Sequence, residues 1–503
     1  MTHTRTTASL KARAETMVQS ASYPGKLFID GKSVDAASGK SFDCINPGTG
    51  EIITQIAEGD NEDVNRAVVV ARRAFEKGHW SNMVPKDRKK VLIRLADLMD
   101  QHAKELAILE TLDVGKPIGD SLAVDIPSSA NCVRWYGEAC DKVYDEVAPT
   151  GPNAFGTITR EAIGVVAAVV PWNFPLLMAC WKLGPALAAG NSVVLKPAEQ
   201  SPLTALRLAE LAMEAGLPEG VLNVVSGFGP TAGQALGMHM DVDTLVFTGS
   251  GEVGKLFLQY SGRSNMKRVW LECGGKTPNV VFDDCHDLKK AAEHAAIGIF
   301  YNQGEVCTAA SRLIVQDTIK DQFVEEVLKV AQTMQPGDPM DLDTTMGALV
   351  EEKHMDRVLD YIQVGKDEGA TVLCGGDRVL LNQGGYYVAP TVFDNVKSSM
   401  RIAQEEIFGP VLSTITFKDA EEAVAIANDS IYGLAACLWT GDVNKAIKLS
   451  RRIRAGNMWV NCWDGGDMTM PFGGYKQSGN GRDKSLHALD KYTETKATWI
   501  DLS

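Results

Sequence analysis

The chain has no CxxC pair and only eight histidines in 503 residues. The usual zinc spacings need clustered Cys or His donors, so no structural metal site is expected. The ten cysteines lie scattered at 44, 132, 140, 180, 273, 285, 307, 374, 437 and 462. That is no disulfide framework, and a reducing, cytoplasmic setting is expected. No uninterrupted apolar stretch reaches the ~20 residues of a membrane span, and the run 163–170 stops at Pro171. Positive charge is outweighed: 50 Lys and Arg against 64 Asp and Glu give a net charge of -14. Such a balance argues against a nucleic-acid surface as the main function. Repeats and low-complexity tracts are also missing. Residues 1–20 lean the other way, with Arg5, Lys11 and Arg13 against Glu15 alone. They are read as an ordinary N-terminal arm or helix, with a targeting peptide as the alternative.

What is present is the make-up of a globular α/β protein, too long for one ordinary core. Strands are expected over 164–170, 192–195, 221–225, 244–248 and 269–272, with helices over 176–189 and 202–215 between them. Ser201 is the expected N-cap of the second helix and Gly216 its stop. Strand–helix alternation with apolar strands predicts a parallel sheet covered on both faces. Such sheets bind ligands at the carboxyl ends of their strands. Asn173, Lys196, Glu199, Ser250 and Glu272 all fall at or just after those ends. Helices are also expected over 87–102, 103–112 and 321–331, and strands over 278–282, 313–315 and 411–417. Two remote segments, 156–160 and 492–500, alternate β-branched or aromatic residues with polar ones, as edge strands do.

One pair of residues carries chemistry. Cys307, in Tyr301-Asn302-Gln303-Gly304-Glu305-Val306-Cys307-Thr308, is a thiol that can attack a carbonyl carbon. Glu272, in Trp270-Leu271-Glu272-Cys273-Gly274-Gly275-Lys276, is a carboxylate that can activate water. A lone cysteine is ordinarily a small buried hydrophobe, so the pair means little without its context. Residues 249–254 spell GxGxxG between a predicted strand and a predicted helix. Alone that is also consistent with a glycine-rich turn.

The context is an ordered series of segments: Val169-Val170-Pro171-Trp172-Asn173-Phe174-Pro175, Val194-Leu195-Lys196-Pro197-Ala198-Glu199, Phe247-Thr248-Gly249-Ser250, then Glu272 and Cys307. Glu405-Glu406-Ile407-Phe408-Gly409-Pro410 and Pro471-Phe472-Gly473-Gly474-Tyr475-Lys476 follow. From about Leu27 to the C-terminus this series resembles the NAD(P)-dependent aldehyde dehydrogenase superfamily. The resemblance implies an α/β fold of two Rossmann-like parallel-sheet domains with a small β oligomerisation ribbon. It places the NAD-binding domain at 1–144 and 162–272, the catalytic domain at 273–485, and the oligomerisation segments at 145–161 and 486–503. A homo-oligomer, a tetramer, is implied.

The resemblance makes Cys307 the nucleophile, Glu272 the general base and the Asn173 amide an oxyanion donor beside the Cys307 N–H. It implies cofactor contacts from Pro171, Trp172, Lys196, Pro197, Glu199, Gly229, Phe247, Thr248, Gly249, Ser250, Gly274, Glu406 and Phe408. Lys196 would donate to ribose hydroxyls. Glu199 would accept from the 2′-hydroxyl and repel a 2′-phosphate, which favours NAD while leaving NADP open. Glu272 argues for hydrolysis over transfer of the acyl group to coenzyme A.

For the substrate, Phe174, Met178, Trp181, Tyr301 and Phe472 are expected to wall an aldehyde channel, and Asp125, Asp464 and Asp467 to draw a cationic tail to its mouth. The segments 464–469 and 479–487 are similar to bacterial γ-glutamyl-γ-aminobutyraldehyde and 4-guanidinobutyraldehyde dehydrogenases. That implies ω-amino, γ-glutamylamino or guanidino aldehydes from polyamine or arginine breakdown. Alternatives are a broad-range aliphatic or betaine aldehyde dehydrogenase, a non-catalytic protein of the same fold, and a cysteine hydrolase.

Overall fold

The computed structural model describes residues 2–19 and 23–503, with side chains of the first helix described over 8–16. Met1, Ser20 and the Arg5 side chain lie outside the described residues. A helix, Thr2–Gln19, opens the chain. Leu10 and Ala14 bury against the body, and Lys11 Nζ pairs with Asp338 at 2.6 Å.

The first sheet has seven strands. Its spatial order is Arg268–Cys273, Thr244–Gly249, Val165–Val169, Ser192–Lys196, Leu222–Val224, Leu27–Ile29 and Lys32–Val34. The first five run parallel, and the last two join antiparallel. Val165–Val169 and Ser192–Lys196 are buried at every residue. This explains their unbroken apolar runs, since helices cover both faces. The chain steps outward from Val165–Val169 to Leu222–Val224, then returns to the other side with Thr244–Gly249. Strand order therefore reverses between two neighbours, and such a reversal opens a crevice at their carboxyl ends.

The helix expected over 202–215 spans Leu203–Ala215 and stops at Gly216, whose φ of +97° is left-handed. The expected N-cap is corrected. Pro202 holds the capping position without a side-chain bond, and Ser201 Oγ has no partner among the described residues. Asp113, far away in sequence, accepts from the Leu203 N–H at 2.8 Å instead. Glu110, one turn earlier on the same helix, Ala103–Val114, accepts from Leu176 N–H at 3.4 Å. A carboxylate from a neighbouring helix satisfies an orphan N–H as well as a local cap does.

Four residues, 274–277, carry the chain from the carboxyl end of the first sheet into the amino end of the second, at Pro278–Val281. The second sheet runs Thr371–Cys374, Thr391–Asp394, Val411–Phe417, Arg312–Gln316, Pro278–Val281, Ala435–Trp439 and Asn457–Val460. Only its first strand is antiparallel. Four of these strands had no clear sequence signal, being short and flanked by loops. The two remote segments 156–160 and 492–500 do pair: Ala154–Ala162 lies antiparallel to Thr493–Asp501, with Thr495 opposite Arg160. Glu146–Ala148 completes this small sheet, which leaves Trp499 and Val147 more than half exposed. The α/β architecture of two parallel-rich sheets plus a small antiparallel one is the expected one. Among the described residues no helix is long and apolar enough to cross a membrane.

Candidate active site

A cleft of about 1130 Å³ opens at the strand-order reversal. It exceeds the ~300–1,000 Å³ of a drug-sized pocket, leaving room for a large ligand and a second, smaller one. Trp172 and Asn173 enter it after Val165–Val169, Gly249 and Ser250 after Thr244–Gly249, and Glu272 and Gly274 at and after the end of Arg268–Cys273. Cys307 arrives from the second sheet's side.

The approach of Cys307 is set by an unusual turn. After the helix Leu288–Phe300, three consecutive residues are left-handed: Asn302 (φ +48°), Gln303 (φ +57°) and Gly304 (φ +75°). A Cβ on Gly304 would sit 2.2 Å from the Gly409 carbonyl oxygen, so only glycine fits there. Hydrogen bonds hold the turn. Asn302 Nδ2 donates to the Asn173 and Glu305 carbonyls, each at 3.2 Å. Asn173 Nδ2 donates to the Glu305 carbonyl at 2.7 Å. The Glu305 carboxyl is fully buried and accepts from the Val350 N–H at 3.0 Å. Asn173 is thereby fixed with one amide hydrogen used and the second left for the cleft. Strained backbone of this kind persists only where neighbours over-determine it.

Cys307 is half-buried. Burial, with Glu406, Glu272 and Asp464 nearby, pushes its thiol well up. The thiol thus favours its protonated form at rest, and ionisation accompanies its attack. Glu272 is 5% exposed, and neither carboxylate oxygen has a partner among the described residues. A Cβ on Gly473 would stand 2.6 Å from its Oε1. Burial, followed by the charge of Asp483, raises the Glu272 carboxyl well above its ordinary value, against the pull of Lys182, Lys491 and Arg482. Asp483 is itself buried between Lys182 and Lys491 and pairs with both. Burial works to raise it, but the two ammonium groups outweigh burial and hold it low. An unpartnered, raised carboxyl beside a cleft is what a general base needs.

The remaining wall suits a dinucleotide. Ser250 caps the helix Gly251–Gly262, accepting from the Val253 N–H at 3.3 Å. The N-terminus of that helix borders the cleft, where free N–H groups and the helix dipole favour phosphate. Gly274 makes a cradle: a Cβ there would lie 1.9 Å from Glu406 Oε2. Glu406 Oε1 accepts from the Gly275 N–H at 3.0 Å, and burial pushes its carboxyl up to about 7. Phe408, left-handed at φ +62°, stands edge-on to Trp172 with ring centroids 5.3 Å apart. Pro171 and Thr248 also line this half.

Lys196, Pro197, Glu199, Gly229 and Phe247 do not line the cleft. Lys196 is 3% exposed, and its Nζ donates to the Pro197 carbonyl at 2.9 Å and to Glu199 at 3.5 Å. It packs beside Gly233, in the turn that begins at Gly229. This group sits one strand further along the same sheet edge. Phe247 is corrected: its ring packs on Phe257 at 5.1 Å and lies under Gly249, in the core. Among the described residues no group of three or more Cys, His, Asp or Glu is placed to hold a metal.

On the substrate side, Phe174, Met178, Trp181, Tyr301, Phe472, Asp464 and Asp467 all line the cleft. Asp125 does not, and is corrected. It is fully buried, paired to Lys116 Nζ at 2.7 Å, behind Phe174, over whose ring that ammonium sits at 4.0 Å. The cause is local. The segment Ser121–Asp125 is a π-turn, whose extra residue turns Asp125 inward and leaves Val124 facing the cleft. Val124, Ser128 and Asn131 line it together, an i, i+4, i+7 face that helical periodicity alone could have singled out. Trp463 and Lys484 also line it and had no local signal, because loops fold them in from far away.

The chain matches known proteins along nearly its whole length. A model of the "Aldehyde dehydrogenase family" matches residues 33–498. The chain is 54% identical to the "NADP/NAD-dependent aldehyde dehydrogenase PuuC" of Escherichia coli (strain K12), over 95% of this chain and 96% of that protein. A solved indole-3-acetaldehyde dehydrogenase in complex with NAD+ superposes with a TM-score of 0.97 at 59% identity, covering 98% of this chain and 99% of that one. A γ-glutamyl-γ-aminobutyraldehyde dehydrogenase from Burkholderia cenocepacia superposes with a TM-score of 0.96 at 56% identity, again over 98% and 99%. The chain belongs to the aldehyde dehydrogenase family.

Proposed function

We propose that this aldehyde dehydrogenase uses NAD to oxidise ω-amino, γ-glutamylamino or guanidino aldehydes to carboxylic acids. One observation carries the chemistry: Cys307 and an unpartnered Glu272 share a single cleft with the anchored Asn173 amide. Cys307 passes its thiol proton to water in the open cleft as its sulfur bonds to the aldehyde carbon. The Asn173 amide and the Cys307 N–H receive the oxyanion. NAD, when bound, supplies a hydride acceptor, and a thioester is left on the sulfur. Glu272 then takes a proton from water, hydroxide adds to the thioester, and the carbon–sulfur bond breaks to release the acid. Gly249, Ser250, Gly274, Glu406 and Phe408 would hold the cofactor, with Lys196 and Glu199 at its far ribose. The Glu199 carboxylate supports NAD over NADP.

The substrate reading is supported by the wall of Phe174, Trp181, Tyr301 and Phe472, which suits an aliphatic stem, and by Asp464 and Asp467 beyond it. A γ-glutamyl-γ-aminobutyraldehyde dehydrogenase among the similar solved structures supports it too. A second reading, a bulky aromatic aldehyde, has support in the side-chain-free stretch Gly465-Gly466, which lines the same cleft as Trp181 and Trp463, and in the resemblance to an indole-3-acetaldehyde dehydrogenase. The exposed Trp499 and Val147 of the small sheet support assembly through it. A tetramer, a cytoplasmic location and the domain division given above remain part of this proposal. Steady-state kcat/KM with 4-guanidinobutyraldehyde, hexanal and indole-3-acetaldehyde, each with NAD and NADP, tests it. A preference for indole-3-acetaldehyde over the charged aldehyde would sink the first reading of the tail.

A further inference from the structure

We propose that Lys484 is an anion-binding subsite at the channel mouth. The aldehydes it favours carry a carboxylate beside an ammonium at their far end, as an amide-linked α-amino acid does. This rests on the reading above of the channel as one for polar-tailed aldehydes, and deepens it.

Lys484 is half-buried and lines the cleft, with its Nζ 5.8 Å from the centre of the Trp181 ring. Two other lysines nearby, Lys182 and Lys491, both pair with Asp483. Lys484 does not: Asp464 and Asp467 act on it through space, with no hydrogen bond, while burial lowers its ammonium. Apart from the Trp181 face, this partly desolvated cation has no hydrogen-bonding or ion-pair partner among the described residues; that is costly, and a ligand carboxylate seated on it would lower the cost.

The backbone aims this side chain. Lys484 and Ser485 are consecutive left-handed residues, at φ +59° and +49°. Asp483 exchanges backbone hydrogen bonds with Phe472 at 2.7 and 2.8 Å, and the Ser485 N–H donates to the Met468 carbonyl at 2.8 Å. Tyr136 Oη donates to the Ser485 carbonyl at 3.0 Å. Lys484 is thus stapled on both sides to the loop that carries Asp464 and Asp467. Strain at two adjacent non-glycine residues, fixed by their neighbours, is typical of positions kept for binding.

Asp467 takes both Thr469 hydrogen bonds, from N at 2.8 Å and from Oγ1 at 2.5 Å, on its Oδ1. Its Oδ2 stays available. The mouth therefore presents an ammonium between two carboxylates. A purely cationic tail gains from the acids and is repelled by Lys484. A zwitterionic tail gains from both signs.

A matched pair of substrates tests this: the γ-glutamyl amide of 4-aminobutyraldehyde, and the 4-aminobutanoyl amide, which lacks only the carboxylate. Wild type is expected to favour the first by about tenfold in kcat/KM, the worth of one charge-assisted hydrogen bond. Lys484→Met and Lys484→Gln should erase the preference within the pair through KM rather than kcat, and Lys484→Arg should keep it. Equal kcat/KM for the pair in wild type overturns the proposal without any variant. So does an equal loss for both amides in Lys484→Met while hexanal turnover is intact. If hexanal and indole-3-acetaldehyde outrun both amides in every protein, the polar-tail reading of the function falls. A Lys484-dependent difference within the pair would still uphold the subsite.

Discussion

The two halves of the cleft are built in opposite ways. The cofactor half hangs on the ends of neighbouring parallel strands, so Trp172, Ser250 and Glu272 reach it within a few residues of Val169, Gly249 and Leu271. The substrate half is assembled from residues 124–131, 174–181, 301 and 459–484, brought together only by packing and loop hydrogen bonds. Topology fixes the first half and tertiary detail the second. A change in the reacting centre should therefore alter turnover of every aldehyde, and a change in the mouth should alter only their ranking.

Cys307→Ala is the strongest way to break that distinction. Turnover of all aldehydes should fall about 10⁴-fold or more, as when a nucleophile is lost elsewhere, with dinucleotide binding by fluorescence little altered. A variant that kept a tenth of its activity on one aldehyde class would deny a shared covalent centre. Asn173→Ala comes next, with a loss of about 100- to 1000-fold in kcat, the usual cost of one oxyanion donor. Because Asn173 Nδ2 also anchors the Glu305 carbonyl, Asn173→Asp is the companion variant. It keeps the side-chain shape, loses the oxyanion donor together with the anchor, and should be at least as slow.

Glu272 sharpens the comparison through pH. Its carboxyl is raised by burial and by Asp483, and a base acts only when ionised. Below the raised pKa the group is protonated and thioester hydrolysis stalls, so the rate climbs as pH rises through it. Lys491 and Lys182 oppose the shift. Lys491→Met should move the rising limb to higher pH, and Glu272→Gln should flatten it while slowing steady-state turnover about 100-fold and sparing the first-turnover burst. A limb unmoved in Lys491→Met would show that this buried cluster does not set the base. The limb should move alike for all aldehydes.

The same contrast explains what could be read from the sequence. The central strands of the first sheet were legible because both faces are buried and the apolar runs are unbroken, and in the second sheet Val411–Phe417 ends where expected. Cys307, Glu272 and Asn173 stood out only through the ordered series of segments that carries the resemblance, and the structure brings all three to one cleft. Asp125 was misread because a π-turn shifts the register of a helix by one residue, which no composition reveals. Phe247 was implied by the resemblance alone, and its ring takes the core face of its strand, on Phe257. Lys484 was invisible: its role depends on Met468, Phe472 and Tyr136, the last of them nearly 350 residues away.

Asp467→Asn gives the smallest effect and the finest discrimination. Two hydrogen bonds from Thr469 keep the Asp467 carboxylate low and ionised at neutral pH. It is exposed, so its pull on a cationic tail is weakened by water and by salt. KM for 4-guanidinobutyraldehyde should rise about two- to threefold, less than the roughly tenfold of a buried charge partner. The rise should shrink in ~1 M salt, where charges are screened within about 3 Å, and kcat should not change. Hexanal should show no difference at all. An equal rise in KM for hexanal would mean that the substitution reshapes the loop 464–472 itself, and the mouth would then act through its shape and not through its charge.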